Sequence, residues 1–161
     1  MFFRRKKGGG PDIYSPTRGR FVRFADVADS TFSSGIMGCG LAIEPDEELV
    51  RSPINGEVTM LFPTKHAIGI KREDGLEILI HIGIETVNLG GEGFESYVKV
   101  NDHVKAGESM IKFNRALIKD KKLDATVIVV FPNGKDYNVS INEALQNITE
   151  KDVVANVERK L

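Results

Sequence analysis

His66 and His81 stand at the two ends of one apolar stretch within HAIGIKREDGLEILIHIGIETVNLGGEGF, in a chain with only 3 histidines. An imidazole nitrogen can act as nucleophile, proton shuttle or metal ligand, so the pair matters only if the fold brings it together. Asp74-Gly75 is the residue pair that a two-residue hairpin turn requires. With that turn, Lys71 faces Ile78, Ile68 faces His81 and His66 faces Gly83. Cross-strand partners share a face, so the histidines become diagonal neighbours roughly 7–8 Å apart at the backbone. A four-residue loop keeps them together; a loop of odd length separates them.

Alternation sorts the hairpin further. Ile78, Ile80, Ile82 and Ile84 form one β-branched row that reads as core, while Glu77, Leu79, His81, Gly83 and Glu85 form a mixed row suited to a surface. Ile68 and Ile70 join the histidine face, which is therefore expected to be apolar yet exposed. For His81 to accept a phosphoryl group, one ring nitrogen must be unprotonated and face outward while a hydrogen bond orients the other. His66 would then donate to the phosphoryl oxygens, with Thr64 orienting His66.

The remaining elements are short, β-branched and separated by Asp74-Gly75, Ala106-Gly107 and Asn133-Gly134. Strands are expected at 20–24, 40–43, 57–62, 67–71, 77–84, 97–100, 109–113, 126–131 and 137–140. Helix is expected only at 115–122 and for a turn or two within 140–147 or 150–154. SPTRGRFVRF and SPINGEVTML align their Ser, Pro and Gly residues, which suggests two related β-units. The fold class is all-β: an antiparallel sandwich or flattened barrel with duplicated units and a few short helical segments.

The chain has 161 residues, 41% hydrophobic and 28% charged, which is ordinary globular composition. Its net charge of −1 gives no basic face for nucleic acid. Gly8, Gly9, Gly10 and Pro11 separate a basic tail, residues 1–11, from a single domain at 12–161. Phe2 and Phe3 beside Arg4, Arg5, Lys6 and Lys7 suit at most weak contact with an anionic membrane; the plainer reading is a solvated tail. No apolar run reaches signal-peptide or membrane-spanning length, and Cys39 is alone, so a reducing cytoplasm is expected. The glycines of LGGEGF let backbone approach a neighbour closely. Neither GxGxxG nor GK[ST] occurs, so phosphate would be handled without ATP.

The run from His66 to Phe94, with SPINGEV, GIMGCGLAIEP and YVKVNDHVKAGESMIKF, resembles the glucose-family IIA component of the bacterial phosphoenolpyruvate-dependent sugar phosphotransferase system. The resemblance extends from about Ile13 to the C-terminus. It implies that His81 is phosphorylated at Nε2, that His66 contacts the phosphoryl group and that Thr64 supports His66. It also implies that the group arrives from the phosphohistidine of HPr and leaves for a cysteine on a IIB domain, while a membrane IIC domain imports the sugar. The absence of fused IIB or IIC sequence leads us to expect separate partner chains. By the same resemblance Phe32, Ile36, Phe62, Ile68 and Leu79 form an apolar collar for partners, with Glu85 and Val87 beside it. Glu85 and Cys39 stand where the family commonly has Asp. His103 matches no catalytic position.

Three other readings compete. A metal-dependent hydrolase needs about three protein ligands, and no HxH or HExxH motif supplies a third here. No cofactor is required, although a partner's carboxylate could complete a zinc site with His66 and His81. A biotinyl or lipoyl carrier would need a modified lysine in a Met-Lys or Asp-Lys hairpin, which Ser109-Met110-Ile111-Lys112 lacks. Finally, a phosphate on an apolar face would switch docking to regulated enzymes or transporters, a role compatible with transfer.

Overall fold

A computed structural model describes residues 10–161. The basic segment 1–9, read as a solvated tail with at most weak membrane contact, lies outside the described residues. The strands, in chain order, are β1 (Asp12–Tyr14), β2 (Gly19–Val22), β3 (Cys39–Pro45), β4 (Leu49–Arg51), β5 (Gly56–Leu61), β6 (Ala67–Lys71) and β7 (Glu77–Ile84). They continue with β8 (Phe94–Ser96), β9 (His103–Val104), β10 (Ser109–Phe113), β11 (Asp124–Phe131), β12 (Tyr137–Ile141), β13 (Asn147–Ile148) and β14 (Val153–Arg159). Helix is limited to α1 (Ser30–Ser33), α2 (Arg115–Asp120) and short 3-10 turns.

All the pairings between strands are antiparallel. One sheet runs β13-β2-β3-β11-β7-β6-β5-β9, and two smaller ones run β1-β14-β12 and β4-β10-β8. Their edges stay open, so the barrel does not close. One core joins all three sheets, taking Ile13 and Val154 from the first small sheet, Val50 and Ile111 from the second, and Leu41 and Ile80 from the large one. This is an antiparallel sandwich.

The paired Ser-Pro motifs occupy matching places. Ser15 Oγ donates to the Thr17 carbonyl, and Ser52 Oγ donates to the Ile54 carbonyl. Each motif also bonds the other's neighbourhood, Tyr14 N–H to the Pro53 carbonyl and Arg51 N–H to the Pro16 carbonyl.

Several expected elements are corrected. The strand expected at 97–100 is displaced to β8, which ends where Ser96 Oγ turns back onto the Val98 carbonyl. The helical turn expected within 140–147 or 150–154 is absent: residues 142–146 and 149–152 are non-helical connections between β12, β13 and β14, and Val153 and Val154 open β14, which is paired on both sides by β1 and β12. The helix expected to reach residue 122 stops at Asp120, with Lys122 at a φ of 60°.

The hairpin β6–β7 has its expected strands but another register. Arg72 N–H bonds the Leu76 carbonyl at 2.8 Å, and Gly75, at a φ of 100°, returns its N–H to the Arg72 carbonyl. The loop is therefore Glu73-Asp74-Gly75. Asp74 closes it by accepting two bonds from the Arg72 guanidinium, both 2.8 Å. Consequently Ala67, not Ile68, lies opposite His81; Ile68 pairs with Ile80 and Ile70 with Ile78. Ile68 and Ile70, expected on the histidine face, are fully buried in the main core. Ile84 leaves its expected row and packs on the second cluster, with Val27, Phe32, Ala42, Ile128 and Val130. Gly83 causes this: its φ of 79° breaks the alternation ahead of Ile84, where the β7–β11 register also shifts.

Candidate active site

On strict alternation the odd-length loop should separate the histidines, yet their ring centroids are 5.0 Å apart and nearly perpendicular, at 82°. His66 escapes the rule because it precedes β6 and closes the β5–β6 loop. That loop is tied by Phe62 N–H to the Ala67 carbonyl and by Lys65 N–H to the Phe62 carbonyl. Lys65 adopts a φ of 59°, which turns the chain ahead of His66, whose carbonyl accepts from Ile82 N–H. His81 sits within β7 and is half-buried, whereas His66 is only 2% exposed.

Each ring has one nitrogen engaged. His81 Nδ1–H donates to the Gly83 carbonyl at 2.7 Å, so the neutral ring keeps its lone pair on Nε2. His66 Nδ1 lies 2.6 Å from Thr64 Oγ1. With the hydroxyl donating, the neutral His66 ring carries its proton on Nε2. Gly83 is sterically required: a Cβ there would meet Thr86 Cγ2 at 2.4 Å and the Asp124 carbonyl oxygen at 2.9 Å. Thr86, fully buried, donates its hydroxyl to the Ile82 carbonyl and so braces this bulge.

The electrostatics favour neutral rings. Burial, reinforced by His81 nearby, pushes His66 from 6.5 down to about 4. Burial also lowers His81, against the Gly83 carbonyl and the Asp29 carboxylate, which both favour its charged form. A neutral imidazole is the nucleophilic form.

Aromatic rings flank the pair. Phe32 lies 5.0 Å from His81 at 55°, and Phe62 lies 5.2 Å from His66 at 86°. The order Phe32–His81–His66–Phe62 makes a continuous row. Phe32 is carried by α1 and is only 4% exposed, so it serves as wall more than as open surface. Ile36 is 83% exposed, Val87 48% and Phe62 36%, while Leu79 is half-buried against the second cluster. Ile68 has no accessible surface and does not belong to a collar. Glu85 is exposed at a φ of 60°, opening the 3-10 turn Thr86–Leu89.

The glycine cluster makes the close approach expected of it. A Cβ on Gly91 would sit 3.6 Å from Thr64 Cα, and one on Gly93 would meet Leu117 Cδ2 at 2.6 Å. The loop thus bridges the Thr64 side of the site to α2. His103 lies elsewhere, 3.8 Å from Glu57 and exposed, and Cys39 is exposed at the start of β3. Gly83, Thr86 and Asp29 were not anticipated. A glycine inside a strand signals a bulge, and Asp29 ahead of Ser-Thr is an N-cap signal.

Among the described residues no group of three His, Cys, Asp or Glu side chains could hold a metal, and no helix is long and apolar enough to cross a membrane. Surface hollows beside Glu44 and Arg115, beside Arg72 and Glu158, and beside Asn55 and His103 are lined by neither His66 nor His81.

The fold is an antiparallel sandwich in which two imidazoles stand 5.0 Å apart between the rings of Phe32 and Phe62. The chain belongs to the EIIA 1 family of the phosphoenolpyruvate-dependent sugar phosphotransferase system, whose pattern matches residues 11–137. It is 46% identical over 121 residues to the glucose-specific EIIA component of Halalkalibacterium halodurans, covering 75% of this chain and 70% of that one. It is 43% identical over 133 residues to the glucoside-specific EIICBA component of Staphylococcus carnosus, covering 83% of this chain but only 19% of that longer protein. The solved glucose permease IIA of Mycoplasma capricolum matches with a TM-score of 0.80 and 32% identity, over 96% of this chain and 98% of that one.

Proposed function

We propose that this chain is a phosphocarrier in sugar uptake, accepting a phosphoryl group on Nε2 of His81 and passing it on. The observation that carries this reading is the committed Nδ1 of His81, held by the Gly83 carbonyl at 2.7 Å, with a second imidazole 5.0 Å away. Nε2 attacks the phosphorus of the phosphohistidine on HPr. The new N–P bond forms as the old one breaks, and the HPr imidazole leaves with that electron pair. In the second step a IIB cysteine thiolate attacks the same phosphorus, and the N–P electrons return to His81. His66 donates Nε2–H to the phosphoryl oxygens, and Thr64 holds the tautomer that makes this donation available.

Partners are proteins that seat on the apolar face formed by Ile36, Phe62, Leu79 and Val87, which excludes water from the reacting atoms. The long relative that fuses EIIA to other components supports IIB and IIC domains as the downstream partners. The chain works in the cytoplasm as one domain from residue 12 onward. It needs no cofactor; His66 and His81 would hold a zinc ion only in a complex whose partner adds a carboxylate, because the pair alone supplies too few ligands. Phosphorylation would also weaken apolar docking to regulated enzymes or transporters.

The test is transfer from phosphoenolpyruvate through enzyme I and HPr. Wild type is expected to gain acid-labile phosphate and His81→Gln none. His66→Gln is expected to accept phosphate but to pass it to IIB about 10²-fold more slowly. No phosphate on wild type, with partners shown to be active, overturns the reading.

A further inference from the structure

We infer that Asp29 is a positioning residue for His81, acting as the N-cap of α1 to hold the Phe32 ring against the His81 imidazole. This rests on the phosphocarrier reading only for its kinetic consequence. Helix α1 is a single turn, Ser30–Ser33, too short to persist on intrinsic propensity. Asp29 Oδ1 accepts from Thr31 N–H at 2.9 Å, and the Asp29 carbonyl accepts from both Phe32 and Ser33 N–H at 3.0 Å. Every one of these bonds fixes the backbone that carries Phe32.

Phe32 in turn is the wall on one side of His81. Its ring packs at 5.0 Å on the imidazole and is buried with Val27, Ala42, Ile128 and Val130. On the other side of His81 stands His66. The Gly83 bond fixes one nitrogen of the ring, but a single bond leaves rotation about it. The two flanking rings restrict that rotation, and only one of them, Phe32, depends on a marginal helical turn. Chain segment 29–32 therefore controls where Nε2 points. Asp29 also sits close enough for its carboxylate to act on His81. The other charged or titratable residues on the elements packed around His81 are His66 and Lys65 of the β5–β6 loop, Glu77 and Glu85 at the ends of β7, Cys39 and Glu44 of β3, Asp124 of β11 and Asp26 ahead of α1.

The experiment compares Asp29→Ala with Asp29→Asn in the full chain. Asn caps about as well as Asp, so it keeps the bond while removing the charge; Ala removes both. Proton NMR reads nuclear Overhauser contacts between the Phe32 and His81 rings, and phosphoryl acceptance from phospho-HPr is timed alongside. Asp29→Ala is expected to lose or weaken the ring contacts and to slow acceptance about fivefold. Asp29→Asn is expected to keep the contacts and to stay within about twofold of wild type, with His81 titrating at lower pH. Should Asp29→Ala not fold, the milder Asp29→Gly serves, with the ring contacts expected to weaken by a smaller amount that Asp29→Asn does not show. Ring contacts unchanged without the cap overturn the proposal, and so does Asp29→Asn failing as badly as Asp29→Ala. The NMR readout needs no phosphoryl donor, so it stands or falls separately from the carrier reading.

Discussion

The hairpin β6–β7 has two ends built on opposite plans. At the turn, the polar groups of Arg72 and Asp74 are tied into one network. Arg72, 7% exposed, bonds both Asp74 oxygens and the Val157 carbonyl, while Tyr137 and Arg159 both bond the Asp74 carbonyl. The Arg72 and Arg159 guanidiniums each lie 5.8 Å from the centre of the Tyr137 ring. At the other end, each histidine has one nitrogen engaged and the other uncommitted. The same two strands thus hold a closed network at one end and reactive capacity at the other. Between them, Ile68, Ile70, Ile78, Ile80 and Ile82 transmit rigidity through a fully packed core.

Gly83→Ala gives the largest effect and acts on the reactive end. A Cβ at a φ of 79° is strained in itself, and this one would also strike Thr86 and the Asp124 carbonyl. We expect a loss of about 3 kcal/mol or more in chemical denaturation. Because the bulge aims the Gly83 carbonyl at His81 Nδ1, phosphoryl acceptance by the surviving folded fraction should fall too. Stability near wild type would break the claim that the bulge organises the site.

Acid separates the two ends by pH. His66 is held from 6.5 down to about 4, so the unfolded chain binds a proton that the folded chain refuses. Stability is therefore complete above about pH 6.5 and declines as pH falls toward 4, by up to about 3 kcal/mol. His66→Gln should flatten that slope. Asp74 behaves differently. Its bond to Arg72 outweighs burial and holds its carboxyl below the usual 3.8, so its contribution is lost only at more acid pH. A titration of stability in which His66→Gln changes nothing between pH 6.5 and 4 would remove the contrast.

Arg72→Met tests the closed end. It leaves the Val157 carbonyl unpaired and Asp74 partly exposed, a cost of about 2 kcal/mol. Acceptance of phosphate per folded molecule should not change. A parallel fall in transfer would mean that the turn, and not only the bulge, sets the histidine geometry.

This contrast also explains what could be read without the fold. The bounds Ala67–Lys71 and Glu77–Ile84 follow from β-branched runs and a turn signal, because both are local. The register does not, since Asp74-Gly75 fits a two-residue turn as well as the last two positions of the three-residue one. That single residue moved Ile68 and Ile70 from the expected docking face into the core. The histidines nevertheless meet, through a feature that pairing arguments omit: His66 stands outside the ladder, behind Lys65 in a left-handed conformation. Alternation failed again at Gly83, where a glycine between isoleucines marked the bulge. Strand β14 was out of reach because one of its two partners, β1, comes from the opposite end of the sequence.

Thr64→Val gives the smallest expected effect and the finest division of the site. It preserves the shape of the side chain and deletes only the hydroxyl that lies 2.6 Å from His66 Nδ1. The stability loss should be about 1 kcal/mol, since one hydrogen bond goes and His66 stays buried. His66 is then free to move its proton to Nδ1, which takes the donor away from the phosphoryl side. His81, whose own nitrogen is fixed by Gly83, should accept phosphate almost normally, while onward transfer falls about tenfold. Thr64→Ser, which restores the hydroxyl, should recover both the tautomer seen by nitrogen NMR and the rate. Near-normal transfer in Thr64→Val with a loss in Thr64→Ser would mean that the methyl group, and not the hydrogen bond, is what holds His66 in place.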